Sequence, residues 1–560
     1  MSLAQDLREI IRGEVSDDPA TLSKFSRDAS LLNVTPTVVV APKDVSDIEK
    51  LVRFVAEHKK DNPELSITPR SAGTDMSGGP LNDSIILDML PHFAGVKNVD
   101  QIHQEATVLP GTFYRDFEKD TLARGLILPC YTASREINTV GGMVGNNSAG
   151  EKTLRYGQTK NFVVELKVVF SDGKERVVKP LNKGELEEKI AQGDFEGKIY
   201  EALYALCTKH SALIQSARPR VSKNSAGYFL WDLWDPSTPL GAGGTFDLTK
   251  LICGSQGTLG IVTEIRFKLV PQKKVSKLLV IFMPNLAPLA DLVNTILPFK
   301  PESLESYDDN TARLAIRFFP DLLRVMKTSF LSLAWSFLPE LGLILRGGLP
   351  KLVLLAEVAG DTDAEVEEKL LAMQKAVAKF NLPTRITHNS ADTKKYWTIR
   401  RESFNLLRKH VHGKRTAPFI DDIIVEPKFL PHFLPQLTAI LDQYKIFYTI
   451  AGHAGNGNFH IIPLMDMHTK ANREIIPELS AKVYDLVLSY KGSITAEHND
   501  GIVRTPYLLK MYGGEVTLLF RQVKNIFDPQ NIFNPGKKVP LLGESAPGTQ
   551  KYMYDHLARE

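Results

Sequence analysis

Three glycine-rich turns, each bordered by a strand-like run, constrain this chain more than anything else in it. The first, Arg70-Ser71-Ala72-Gly73-Thr74-Asp75-Met76-Ser77-Gly78-Gly79, follows the apolar run Leu65 to Pro69. The second, Thr139 to Gly150, leads through Tyr156-Gly157 into the strand Phe162 to Phe170. The third, Gly254-Ser255-Gln256-Gly257-Thr258-Leu259-Gly260, opens the alternating strand Ile261 to Leu269. A single such loop is often a plain turn. Three in series can present rows of backbone N–H groups to one extended, phosphate-bearing ligand. None is a Walker A loop: in Gly145 to Gly150 followed by Glu151-Lys152-Thr153, the inserted Glu151 breaks the spacing and brings a negative charge to phosphate. An NTPase is therefore excluded.

The rest of the chain is organised around these turns. Residues 5–13 and 18–28 read as short amphipathic helices, and Thr37 to Val40 as a β-branched strand. Ser46 is the expected cap of a helix Asp47 to Lys59 with Ile48, Leu51, Val52 and Val55 on one face. Pro271-Gln272-Lys273-Lys274 marks a boundary, after which a new strand–helix pattern runs to about Lys510. A helix near Val516 to Ile526 and the proline-punctuated Phe527 to Lys537 follow, and the tail after Leu542 is expected to be loose, with a short helix within Tyr552 to Arg559. Residues 318–349 are dense in Leu and Phe with a basic rim. They read as a helical insertion on the second domain, the competing reading being a pair of helices on a membrane surface.

Gly452-His453-Ala454-Gly455-Asn456-Gly457-Asn458-Phe459-His460 lies between two apolar runs, the pattern of a β-hairpin. With Asn456-Gly457 as a two-residue loop, His453 would face His460, near enough for both imidazoles to share a metal ion.

Bulk properties exclude other classes. The 560 residues imply two or more domains. A net charge of +3 gives no cationic field for nucleic acid. The three cysteines, Cys130, Cys207 and Cys253, are too scattered for a disulfide framework or an internal iron–sulfur site. The N-terminus lacks the apolar stretch of a signal peptide, and no window reads as a spanning helix. A cytoplasmic protein, or one peripheral on the inner membrane face, is the expectation.

Together these residues resemble the flavoproteins of the vanillyl-alcohol oxidase and p-cresol methylhydroxylase (PCMH) type, in particular the D-lactate, D-2-hydroxyglutarate and glycolate (GlcD) dehydrogenase branch. The match runs from about Thr37 to Lys537 and includes Asn534-Pro535-Gly536-Lys537 as a closing segment. It implies an α+β fold: a two-subdomain PCMH-type FAD-binding domain over about 32–273 and an α+β cap, the FAD-linked oxidase C-terminal domain, over 274–515. Residues 1–31 would form an N-terminal helical segment, 516–542 would return to the FAD domain, and 543–560 would be a tail. The implied FAD contacts are Arg70, Ser71, Ala72, Gly73, Thr74, Asp75, Thr139, Gly141, Gly142, Asn146, Gly150, Gly257, Gly260, Ile261 and Asn534. The first loop has no histidine, so FAD is expected to be non-covalent. Gln256 stands where the family usually has Glu.

The resemblance further implies a divalent metal on His453, His460 and Glu497, zinc first, with iron or manganese also suited to two His and a carboxylate. His498 would be the base and Arg400 the anchor of a substrate carboxylate. Glu497 and His498 are adjacent, so both serve one site only if the strand ends there, as the turn signal Asn499-Asp500-Gly501 suggests. The expected reaction is oxidation of a D-2-hydroxy acid, with electrons leaving to a quinone, a cytochrome or a separate iron–sulfur subunit. A homodimer and peripheral membrane contact are further partner expectations. The alternatives are an alkylglycerone-phosphate-synthase-like flavoenzyme and a metal-dependent hydrolase without flavin. Two departures bear on substrate: Asn499-Asp500 replaces the usual Gly-x after the Glu-His pair, and Ile462 replaces an asparagine found in 2-hydroxyglutarate enzymes.

Overall fold

Runs of β-branched residues buried on both faces build the first layer. Val38–Ala41, Ile85–Asp88 and Ile67–Arg70 form a parallel core in the order first, third, second along the chain. The computed structural model describes residues 2–559 apart from 236, 239, 241–242, 318–347, 411–412 and 541–545. Most of the apolar insertion expected at 318–349 thus lies outside the described residues. Within the N-terminal segment, Glu14–Ser16 adds an antiparallel edge strand to Val39–Ala41. Helix Val45–His58 packs Ile48, Leu51, Val52 and Val55 onto the sheet. Its cap is Asp44, not Ser46; the Asp44 carboxylate accepts the Asp47 N–H, a stronger acceptor than a hydroxyl.

A five-stranded antiparallel sheet forms the second layer, in the order Val96–Asp100, Glu105–Val108, Ile261–Lys268, Val163–Val169, Glu175–Val178. Ile261–Lys268 alternates buried and less buried residues, as its sequence alternation predicts. The helix Leu508–Phe527 returns to this layer through Val516, Leu519, Phe520, Val523 and Phe527.

The cap is an eight-stranded antiparallel sheet. Its path runs Thr384–Ile386, Val275–Met283, Leu352–Gly360, Ser303–Asp308, Phe447–His453, Asn458–Met465, Arg415–Thr416, with Ile423–Ile424 also paired to Asn458–Met465. Alternation splits its side chains into two cores. Leu279, Ile281 and Met283 join the helices Leu289–Ile296, Asp363–Val377, Leu430–Leu441 and Lys470–Ser489 on one face. Leu278, Val280, Tyr307 and Leu355 meet Tyr396, Trp397 and Ile399 of the helix Ser390–His410 on the other. That second face also carries Glu305, opposite Leu355, and His460, opposite Ala451, which puts the candidate site where the cap and the first two layers meet.

The described part of the tail, from Ala546, packs on the cap. Helix Ala546–Asp555 forms, Leu557 bridges to Leu32, and Met553 and Leu557 are buried in the cap core. Their apolar side chains find a groove that no local sequence pattern reveals.

Candidate active site at the domain interface

The hairpin forms, with a register two residues from the one expected. His453 pairs with Asn458 and His460 with Ala451, leaving Ala454 to Gly457 as a four-residue loop. A slip of two keeps every side chain on its face, so the histidines still meet, now diagonally, with ring centroids 5.4 Å apart. Long-range pairing explains the shift: the Val425 N–H donates to the Gly457 carbonyl, drawing the loop tip onto the neighbouring strand. Gly457 alone takes positive φ (+74°), and a Cβ there would sit 1.9 Å from the Val425 carbonyl oxygen.

The segment Ser493 to Gly501 is no strand beyond one bridge between Ser493 and Ile424. It wraps around Asp422. One Asp422 oxygen accepts the consecutive backbone N–H groups of Ala496, Glu497 and His498 at 2.9, 2.7 and 2.7 Å, plus the Thr495 hydroxyl at 2.6 Å. Successive N–H groups converging on one acceptor break the pleat, and that lets neighbouring Glu497 and His498 both face the cavity. Asn499, at φ +69°, donates to the carbonyls of Gly254 and Asn146, and Asp500 pairs with the fully buried Lys538. These bonds account for the Asn499-Asp500 departure: both side chains tie the loop to the rest of the fold outside the cap sheet.

Buried charges surround the histidines. His453 Nδ1 lies 2.6 Å from Glu305 Oε1, and its Nε2 lies 3.2 Å from Glu497 Oε1. Asp421 lies between two rings, Oδ1 3.0 Å from His460 Nδ1 and Oδ2 3.1 Å from His498 Nδ1. Lys223, fully buried, hydrogen-bonds Glu497 and reaches Asn458 Oδ1 at 3.3 Å. Burial pushes the Glu497 carboxyl up, but Lys223 and His453 outweigh it and hold the group well below the usual range. Burial lowers His498, yet the Asp422 and Asp421 carboxylates raise it to about 9. A divalent cation nearby opposes that shift by adding positive charge.

The donor set fits a metal. One ligand atom each from Asp422, His460, Glu497 and His498 lie within 4.8 Å of one another, with His453 adjoining through Glu497. Nitrogen and carboxylate donors of this kind suit zinc, iron or manganese. Asp422 is already engaged by the loop, whereas Glu497 Oε2 has no hydrogen-bond partner among the described residues.

The two adjacent arginines separate cleanly. Arg401 makes a bidentate pair with Glu151 of the second glycine-rich loop, at 2.6 and 2.5 Å, and stacks over Trp397. Arg400 approaches Glu305 Oε2 at 3.2 Å, while its buried Nε has no hydrogen-bond partner. Arg400 lines the cavity, and a guanidinium there suits a carboxylate.

One cavity of about 1080 Å³ connects everything. Arg70, Ser71, Ala72, Gly73, Thr74, Asp75, Thr139, Gly141, Gly142, Asn146, Gly257 and Gly260 line it, as do Arg400, His453, His460, Glu497 and His498. Three of the residues singled out from sequence are elsewhere. Gly150 packs against the Tyr131 carbonyl, where a Cβ would come within 2.0 Å, and Ile261 is in the core of the first layer. Asn534 is a tie: it donates to the Gly79 and Gln256 carbonyls and accepts from the Thr68 hydroxyl. The cavity fits a phosphate-bearing cofactor, because among the described residues no hydrogen bond takes up the N–H groups of Ser71, Ala72, Gly73 or Thr74. Gln256 replaces Glu without loss, since its amide both accepts from the Gly501 N–H and donates to Ser77 and Asn146.

Lys223, Glu305, Asp421 and Asp422 were not singled out from sequence. Only the last two leave a trace, as paired acids inside the apolar run Phe419-Ile420-Asp421-Asp422-Ile423-Ile424.

Comparison with known proteins agrees with this architecture. Residues 36–179 match the family described as FAD binding domain, and residues 272–538 match FAD linked oxidases, C-terminal domain. The chain is 27% identical over 538 residues to a D-2-hydroxyglutarate dehydrogenase of Pseudomonas putida, an alignment covering 95% of this chain and 51% of that protein. It therefore spans about half the length of the D-2-hydroxyglutarate dehydrogenases it first matches. It is also 27% identical to glycolate oxidase subunit GlcD of Bacillus subtilis, over 90% of this chain and 88% of that one. Among solved structures, substrate-bound p-cresol methylhydroxylase superposes with a TM-score of 0.66 at 15% identity, covering 97% of each chain. Alkyldihydroxyacetonephosphate synthase gives 0.66 at 16% identity over 95% of this chain and 84% of that one, so these likenesses show the fold alone. The chain thus carries an FAD binding domain followed by the C-terminal domain of FAD linked oxidases, in this order and on this fold.

Proposed function

We propose that this chain is a dehydrogenase that oxidises a small D-2-hydroxy acid to the 2-oxo acid. The observation that carries the reading is the convergence, in one cavity, of a phosphate-suited cradle, the His453–His460–Glu497 group, His498 and Arg400. Bound non-covalent FAD would supply the acceptor for the α-hydrogen and its two electrons. A divalent cation on His453, His460 and Glu497 would supply Lewis acidity toward the hydroxyl oxygen. The remaining work belongs to side chains. Arg400 binds the carboxylate with its guanidinium. His498 takes the hydroxyl proton on Nε2 while Asp421 holds Nδ1. The Arg401–Glu151 pair clamps the cap helix to the second glycine-rich loop and so fixes the distance between anchor and cradle. Electrons then pass to a carrier outside this chain. No helix among the described residues is long and apolar enough to cross a membrane.

Steady-state assay with D- and L-2-hydroxy acids and an artificial acceptor tests this. Turnover is expected with D-acids only, and Arg400→Met should raise KM at least ~30-fold, the order of ~2 kcal/mol for a charge-assisted bond. Equal turnover of both enantiomers, or an unchanged KM in Arg400→Met, would sink the assignment.

A further inference from the structure

We propose that Asp421 is a positioning residue that sets the tautomers of a metal ligand and of the catalytic base at the same time; this rests on the function proposed above. Its two oxygens serve two rings. Oδ1 accepts from His460 Nδ1 at 3.0 Å, and Oδ2 lies 3.1 Å from His498 Nδ1. Among the described residues neither Oδ2 nor His498 Nδ1 makes a hydrogen bond, so their 3.1 Å approach is an ion-pair contact, and both atoms are buried. Asp421 is fully buried, and the stacked rings of His460 and His498 lie 5.1 Å apart. Its carbonyl accepts from the fully buried Arg504 at 2.7 Å, which fixes the backbone beneath it.

A carboxylate only accepts. With Asp421 ionised, both rings must carry a proton on Nδ1. His460 is then left with an Nε2 lone pair for a metal, and neutral His498 with an Nε2 lone pair for a substrate proton. Glu305 performs the same task for His453, its Oε1 on Nδ1 at 2.6 Å, so each of the three rings meets a buried carboxylate at Nδ1. Such carboxylate–histidine pairs orient metal ligands and raise their basicity. What is unusual here is the sharing: one carboxylate ties the ligand His460 to the base His498.

Asp421→Asn separates this from a packing role. The amide has nearly the same shape, but one acceptor oxygen and one NH2 donor. It can satisfy one ring in the required tautomer; the other ring must accept at Nδ1 and carry its proton on Nε2. In the FAD-loaded full chain, the variant is expected to keep the flavin-to-protein ratio of the parent. Its affinity for Zn2+, read by competition with a chromophoric chelator, should fall ~10- to 100-fold, and kcat should fall at saturating Zn2+. Zn2+ affinity and kcat both within twofold of the parent would overturn the proposal. Should Asp421→Asn not fold, 15N-histidine spectra of the Zn2+-loaded parent, recorded at a pH where His498 is neutral, decide the matter: both rings protonated on Nδ1 supports the assignment, and a proton on Nε2 of either overturns it. A parent that binds no Zn2+ and oxidises no 2-hydroxy acid overturns the functional reading and this one together. A parent that does both, beside an unchanged Asp421→Asn, overturns this one alone.

Discussion

Asp422→Ala is expected to be the most damaging single substitution in the cap. The carboxylate organises a turn of chain that has no ladder of its own. Removing it orphans the consecutive N–H groups of Glu497 and His498 and the Thr495 hydroxyl, while the Ala496 N–H keeps its bond to the Asp422 carbonyl at 3.0 Å. Each buried orphan costs ~1–3 kcal/mol, and because the groups share one acceptor the costs will not simply add. A loss of at least ~4 kcal/mol in urea unfolding is expected, together with a fall in kcat/KM of ~100-fold or more, since Glu497 and His498 lose their common frame. Asp422 is itself strained, at φ +69°, so the structure tolerates cost there for the sake of the turn. A variant within ~1 kcal/mol of the parent that kept its turnover would mean the turn is held by something else.

The second large effect concerns Lys223. It is fully buried and bonds Glu497, whose carboxylate depends on it for compensation. Lys223→Met keeps the length of the side chain and removes the charge. Breaking a buried pair by deleting one partner costs ~3–5 kcal/mol, because the remaining charge stays buried. The distinctive expectation is how added Zn2+ changes that loss. A cation bound at Glu497 supplies part of the missing positive charge and binds only the folded chain, so the stability deficit should shrink as Zn2+ is added. Melting curves of parent and variant with and without Zn2+ measure it. A deficit unchanged by Zn2+ would place no cation on Glu497.

How much of this was legible in the sequence depends on the distance over which each feature is encoded. The glycine-rich turns, the hairpin and the Glu497-His498 pair are local patterns, and the structure lines one cavity with most of the residues they contain. The hairpin register was misread by two because the choice between a two- and a four-residue loop is made by Val425, some 30 residues away. Lys223 meets Glu497 across 274 residues, and Glu305 meets His453 across 148; no spacing rule reaches that far. The buried tail is a similar case, since Met553 and Leu557 are unremarkable apolar residues until the groove beside Leu32 exists. Acidic residues in an apolar strand, as at Asp421 and Asp422, are the one long-range feature with a local warning, because burying a carboxylate without partners is too costly to persist by chance.

The central claim, that one interface cavity brings a D-2-hydroxy acid to a flavin under the control of His498, is tested most directly by mixing FAD-loaded protein with substrate under anaerobic conditions and following the visible flavin absorbance. The account predicts that D-2-hydroxy acids bleach the flavin in a single turnover, that their L-enantiomers do not, and that His498→Ala slows bleaching by ~100-fold or more while binding FAD normally. Flavin that is bleached by dithionite yet by no D-2-hydroxy acid, or bleached equally fast in His498→Ala, would contradict it.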